Sequence, residues 1–310
     1  MRINPYIQIA RPDHWFKNIF ILPGILLVEF FYPHIATLSA LEHILLGIVA
    51  ACLVASSNYV LNEIIDSPHD LFHPEKKNRP IPSGQVSIPV AYAEWLMLAA
   101  AGIGLGFWIN VPFGLAALLL WIMGCLYNIP PIRLKDRPYA DVLSESLNNP
   151  LRMALGWYST GCPLLPPASI LLAYWMFGAF LMAIKRFAEY RHIGDKEQAR
   201  LYRKSFGYYT ADRLMESIFF YGAFFGMLSG VFMARYHAEL ILATPIVAYA
   251  MAYYIHIGFK PNSVVQTPEK LYRQRKLVLL VILSFIACGV LLMVDLPFFH
   301  QLITPTPLLQ

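Results

Sequence analysis

The hydrophobic positions of this chain fall into long unbroken runs, not into the short alternations of strands or the single apolar stripes of surface helices. A hydrocarbon layer about 30 Å thick asks for about 20 apolar residues per crossing helix. Nine runs approach that length: residues 17–33, 41–61, 89–109, 112–130, 140–159, 167–185, 216–234, 239–258 and 277–296. The first is short and contains Pro23, and the fifth is diluted by Ser144, Glu145, Ser146, Asn148, Asn149 and Arg152. A polar stripe that dense does not face lipid, so it is expected to turn toward the bundle interior or a water-filled cavity. A Glu145–Arg152 pair inside the bundle is the structural alternative. The pattern predicts an all-α polytopic membrane protein of nine transmembrane helices. It forms one domain over residues 1–298, followed by a flexible tail over 299–310.

Charge adds orientation to this picture. Charged residues make up 14% of the chain against 57% hydrophobic, which excludes an ordinary soluble domain. Of the 24 Lys and Arg residues, 22 fall in the N-terminal segment and in the stretches 62–88, 131–139, 185–215 and 259–276. The positive-inside rule then places the N-terminus and these loops in the cytoplasm, with an integral protein spanning a bacterial inner or plasma membrane. The net charge of +5 suits anionic lipid and phosphorylated ligands, not nucleic acid. Residues Met1 to Asn18 are mixed and charged, unlike a cleavable signal peptide. The four cysteines are scattered through or near apolar runs without a Cys-x-x-Cys pair, which predicts buried inert thiols instead of a disulfide framework or zinc site.

The chemistry concentrates where the second run ends, in N-E-I-I-D-S-P-H-D-L-F-H-P-E-K-K-N-R-P-I-P-S-G from Asn62 to Gly84. Asn62, Asp66 and Asp70 are spaced i, i+4, i+8 and share one face if the backbone stays helical. Pro68 is expected to bend or end the helix before Asp70. Oxygen donors without nitrogen or sulfur suit Mg²⁺, which keeps waters and shares phosphate oxygens. Lys76, Lys77 and Arg79 follow as phosphate-binding cations, and the Pro80–Pro82 turn ahead of Gly84 fixes the direction of Arg79. Lys17 either anchors the first span at the interface beside Trp15 or points inward to a phosphate. Tyr127 closes a helix before a double-proline turn, and Asp141 is expected to cap the next helix. In 185–215, eight cations interleave with Tyr190, Tyr202, Tyr208 and Tyr209. Lys185, Glu189 and His192 stand at i, i+4, i+7, Lys204 and Tyr208 repeat the spacing, and Gly194 suggests two short cytoplasmic helices. The segment reads as a wall of an anionic pocket.

Asn62-x3-Asp66-x3-Asp70, R-P-I-P-S-G ending at Gly84, and Y-N-I-P-P-I-R-L-K from Tyr127 together resemble the UbiA superfamily of membrane prenyltransferases. That resemblance implies a helical bundle around a cytoplasm-facing cavity. Most members carry an Asp-x3-Asp motif after the sixth span; here K-R-F-A-E stands at Lys185–Glu189. This segment, R-K-S-F-G-Y-Y-T from Arg203 and the opening R-P-D-H-W-F-K-N resemble the decaprenyl-phosphate phosphoribosyltransferase branch. The resemblance implies transfer from 5-phosphoribosyl diphosphate to a polyprenyl phosphate in the lipid bilayer. Asn62, Asp66 and Asp70 would hold Mg²⁺, with Asp66, Asp70 and Glu189 in catalytic positions. Lys17, Lys76, Arg79, Tyr127, Lys185, Arg186, Tyr190 and Lys204 would bind substrate. Exchanging aspartates for Lys185 and Arg186 fits a donor and acceptor that bring more negative charge than a prenyl diphosphate does. An ordinary prenyltransferase and a non-catalytic transporter or lipid-binding protein are the competing readings. A homo-oligomer is left open.

Overall fold

A computed structural model of the chain describes residues 4–35, 37–71 and 76–299, all of whose regular elements are helical. The expected tail, apart from Phe299, lies outside the described residues. The chain divides into two compact units, Met1–Pro166 and Pro167–Gln310.

In the first unit, α1 (Pro5–Ile9) leads through a 3-10 stretch (Pro12–Ile21) into α2 (Leu22–Phe31). Then follow α3 (Leu38–Asp70), α4 (Ile88–Ile109), α5 (Val111–Asn128) and α6 (Ala140–Ser159). The turn between α4 and α5 is a single extended residue, Asn110. Its side chain accepts from the Phe113 N–H at 2.8 Å and donates to the Tyr158 carbonyl at 2.8 Å. One residue thereby caps α5 and ties the hairpin to the end of α6. One apolar cluster gathers Val54, Phe113, Leu120, Leu155 and Trp157, with Ala50, Ala51, Ala116 and Ala117 letting backbones approach. A Cβ at Gly24 would run into the Met153 carbonyl, and one at Gly156 into the Ile21 carbonyl, so α6 rests directly on the N-terminal segment.

The second unit begins with α7 (Ala168–Ile193) and the short α8 (Lys196–Tyr202). It continues through a 3-10 turn (Lys204–Gly207) to α9 (Ala211–Tyr236), α10 (Thr244–Gly258) and α11 (Arg275–Leu292). α7 packs chiefly on α9, and α10 on α11. Gly194 stands at φ 72° where α7 stops, a conformation that glycine adopts without a Cβ penalty. The expected pair of short helices is therefore one helix plus a 3-10 turn.

Among the described residues, eight helical stretches are long and apolar enough to cross a membrane. The fifth predicted span is a helix with the expected bounds 140–159, but its composition keeps it out of that set. Its polar face is turned inward: Asp141, Ser144, Ser146 and Arg152 are buried. Arg152 Nε donates to Asn18 Oδ1 at 3.0 Å, and among the described residues it makes no ion pair with Glu145. Asp141 lies in the first turn of α6 and is fully buried, while the N-cap position belongs to Tyr139. Hydropathy also undercounted two helices. α3 runs past 61 to Asp70, and α7 runs past 185 to Ile193, because the ladder continues after the apolar length is spent. Pro68 sits inside α3 without ending it. Its missing donor removes one rung near the C-terminus, and the Leu71 N–H resumes pairing with the Ser67 carbonyl at 3.2 Å.

Asn18→Ala should remove the acceptor of a buried guanidinium, costing about 1.5–3 kcal/mol. The expected readout is a lower thermal midpoint for the detergent-purified chain; an unchanged midpoint would show that Arg152 finds another acceptor.

Candidate active site

In the first unit the site is built at the end of α3. Continuous helix through Asp70 puts Asn62, Asp66 and Asp70 along one face. Asp66 is gripped by a loop that is distant in sequence. Lys135 Nζ donates to Asp66 Oδ1 at 2.6 Å and Arg133 Nη2 to the same oxygen at 2.9 Å. Lys135 also reaches Asn128 Oδ1 at 2.9 Å, and that oxygen takes a second bond from Asn62 Nδ2 at 2.6 Å. Asn62 Nδ2 further donates to Asp66 Oδ2 at 3.2 Å. Asn128 is held by its own donation to the Gly124 carbonyl at 2.9 Å. Arg133 adopts a left-handed backbone at φ 30°, costly for a residue with a Cβ. Its two ion pairs, with Asp66 and with Asp136 at 3.1 Å, hold it there.

Asp70 is matched separately. Arg79 Nη1 donates to Asp70 Oδ2 at 2.6 Å, and Lys76 Nζ lies 3.9 Å from Oδ1. The turn carrying Arg79 is pinned to α3 by Glu63, a buried carboxylate that accepts the Ile81 N–H at 3.2 Å. Gly84 closes the turn at φ 75°. Lys17 Nζ stands 5.6 Å from the centre of the Tyr59 ring on α3, so this lysine turns to the helix rather than outward. Tyr127 places its ring 6.0 Å from Lys135 Nζ.

In the second unit, Arg186 Nη1 donates to Glu189 Oε2 at 2.9 Å, with both side chains buried, and Lys185 Nζ lies 3.9 Å from Oε1. Arg203 is close enough to act on Glu189 electrostatically. Tyr190 meets the buried Phe206 edge-on at 6.0 Å, and Tyr202 and Tyr209 close on the same ring. This aromatic knot anchors the segment that carries Arg203 and the exposed Lys204.

A family model for the UbiA prenyltransferase family matches residues 19–279. The chain belongs to that family. Two UbiA-family relatives are named decaprenyl-phosphate phosphoribosyltransferase. The one from Mycolicibacterium smegmatis is 28% identical over 68% of this chain and 64% of its own length. The one from Mycobacterium tuberculosis is 28% identical over 67% of each chain. The match thus spans about two thirds of these relatives. The solved structure of a UbiA homolog from Archaeoglobus fulgidus bound to GPP and Mg²⁺ superposes with a TM-score of 0.67 at 21% identity. It covers 92% of this chain and 99% of that one, which establishes a UbiA fold.

Among the described residues no three carboxylate, imidazole or thiol side chains converge as a ready-made metal centre. The set on the UbiA helix α3 is two carboxylates and an amide, all hard oxygen donors on one face, and it fits a Mg²⁺ ion that shares ligands with water and phosphate. Asn62 here turns its N–H toward Asp66, so oxygen ligation would require its amide to rotate. Sequence reasoning passed over Arg133, Lys135, Asn128, Glu63 and Arg203. Lys135 had a usable signal, since it sits with Arg133 in the same short proline turn that follows Tyr127. Glu63 had none, because a buried carboxylate that receives a backbone N–H has no spacing of its own.

Lys135→Met removes a unit charge that competes for Asp66, so Mn²⁺ should bind the substrate-free protein at least about tenfold more tightly by paramagnetic resonance titration. Equal affinity would separate Asp66 from metal binding. On α7, Glu189→Ala should cost about 3–5 kcal/mol by stranding Arg186, and Arg186→Met in the same chain should recover most of it. Thermal midpoints of the two single variants and the double variant measure the coupling.

Proposed function

We propose that this UbiA-family protein is a membrane-embedded transferase. It moves the 5-phosphoribosyl group of 5-phosphoribosyl 1-diphosphate to a polyprenyl phosphate, with Mg²⁺ required and diphosphate released. The observation that carries the reading is the end of α7, where Lys185 and Arg186 surround Glu189 in place of a second aspartate pair. Cations there suit substrates that bring phosphate charge beyond one diphosphate. The names of the mycobacterial relatives support the same choice.

In this mechanism the anomeric C–O bond breaks with its electron pair leaving on the diphosphate, and an acceptor phosphate oxygen forms the new bond to that carbon. Bound Mg²⁺ would supply charge neutralisation for the diphosphate, held by Asp66, Asp70 and the amide oxygen of Asn62. Arg79 and Lys76 trade their contact with Asp70 for phosphate oxygens. Lys185 and Arg186 take a further phosphate, and Glu189 orients Arg186 and stabilises positive charge at the anomeric carbon. Lys17, Tyr127, Tyr190 and Lys204 contribute binding contacts. The acceptor phosphate is ionised at neutral pH, so positioning and charge stabilisation replace a strong general base. The basic loops carrying these residues face the cytoplasm in this reading. A prenyl transfer activity is the second reading, favoured by the GPP-bound Archaeoglobus fulgidus homolog.

The test gives purified protein Mg²⁺, labelled phosphoribosyl diphosphate and a panel of polyprenyl phosphates, with a prenyl diphosphate reaction in parallel. A metal-dependent lipid-soluble label is expected from the first mixture. Its absence, with consumption of prenyl diphosphate in the second, overturns phosphoribosyl transfer. Asp66→Asn should lower turnover by about 10²–10³-fold without lowering yield of folded protein.

A further inference from the structure

α7 presents a second chemical face that the proposed reaction does not use. At 100° per residue, Lys185, Arg186 and Glu189 lie on one side of the helix and Arg191 on the opposite side, with Ala188 and His192 between Arg191 and Lys185. This other side borders an open cavity of about 260 Å³ at the joint end of α7 and α10. Arg191, His192, Lys260 and Asn262 line it with Ala188, Gly258 and Pro261, and none of the lining residues is acidic.

The cations here differ from those of the candidate active site. Arg79, Arg133, Lys135, Lys185 and Arg186 each meet a carboxylate. Arg191, His192 and Lys260 meet none among the described residues. Arg191 is nevertheless held in place. Its Nη1 donates to the Phe259 carbonyl at 3.2 Å, and its guanidinium lies 5.5 Å from the Phe187 ring centre and 5.7 Å from that of Phe259. Those two rings pack 4.8 Å apart, so the guanidinium is seated on a fixed aromatic base. Two helices end at this point, and their last carbonyls favour some positive charge. Arg191 already serves one of those carbonyls. Lys260 extends the positive field beyond it, into the cavity, and the His192 ring offers a polar edge there.

Position narrows the ligand. α7 and the stretch ending in α10 are both long and apolar enough to cross a membrane, so their shared end lies at headgroup depth. We propose that this cavity is a binding site for the phosphate group of an anionic membrane lipid, distinct from the residues assigned to phosphoribosyl transfer. Arg191 provides the oriented fork, Lys260 adds charge, His192 adds a ring nitrogen able to hydrogen-bond, and the open side admits a headgroup whose acyl chains stay in the bilayer. A soluble phosphate would satisfy the same cations, so the test separates the two sources.

Full-length protein, delipidated in neutral detergent, is titrated by native mass spectrometry with phosphatidylglycerol, with phosphatidylcholine and with inorganic phosphate. The wild type should retain phosphatidylglycerol in preference to the other two. Arg191→Gln with Lys260→Gln should weaken that binding about 30-fold, from about fivefold per surface cation. Lys270→Gln with Arg273→Gln, in the neighbouring loop but outside the cavity, should leave it within about threefold of wild type. Because Arg191 also caps Phe259, Lys260→Glu alone is the second probe; it breaks no contact among the described residues and should still lower binding at least about fivefold. Equal retention of phosphatidylcholine overturns the proposal. So does wild-type binding by both cavity variants, or displacement of the lipid by equimolar inorganic phosphate.

Discussion

Neutralising Asp66 is the constraint from which the first unit's functional end is built. A carboxylate near the end of a membrane-length helix is costly without partners, and its two cations arrive 67 and 69 residues later in the chain. To deliver them, α5 must end at Asn128, and the proline turn must bring Arg133 round in a left-handed conformation. The same amide oxygen of Asn128 receives both Lys135 and Asn62, so helix end, loop and metal-type motif form one network. Loosening any one of them leaves a buried donor or acceptor without its partner, and such losses cost more than the bonds themselves contribute.

Much of the fold was legible because a bilayer imposes a length on every crossing element. Runs of apolar residues located the helices, and the polar stripe of the fifth run correctly announced an inward face. Hydropathy said little about helix ends, since Asn62 to Asp70 and Lys185 to Ile193 are helical yet polar. Pro68 misled for a related reason. A proline costs a helix most in its interior, and this one sits where few rungs remain to be lost. The motif residues on α3 were readable from their i, i+4 spacing. The pairing with Arg133 and Lys135 was not, because these cations, although visible in the proline turn after Tyr127, come from a loop whose direction depends on a backbone conformation that composition does not encode.

Charge counting separates the clusters by task. Asp66 and Asp136 face Arg133 and Lys135, so that group balances to zero. Asp70 with Lys76 and Arg79 carries an excess of one positive charge, and so does Glu189 with Lys185 and Arg186. An incoming phosphate can therefore be met at the second and third groups by cations already in place. At the balanced group it meets no net attraction, and a divalent cation would supply one there. The neutral cluster takes in Asp66 of the oxygen-donor face of α3, while Asp70 on the same face belongs to a cationic group.

Parking cations on carboxylates also answers how so much positive charge survives without substrate. An unpaired guanidinium as deeply buried as Arg186 would be expensive, and Glu189 supplies its counter-charge in the resting state. A phosphate that replaces the carboxylate then inherits a group already desolvated and oriented, so less of its binding energy is lost to ordering side chains. One ion pair can serve in this way as folding element and as a parked phosphate receptor, and this is a physical reason for a glutamate to stand among the lysine and arginine of α7.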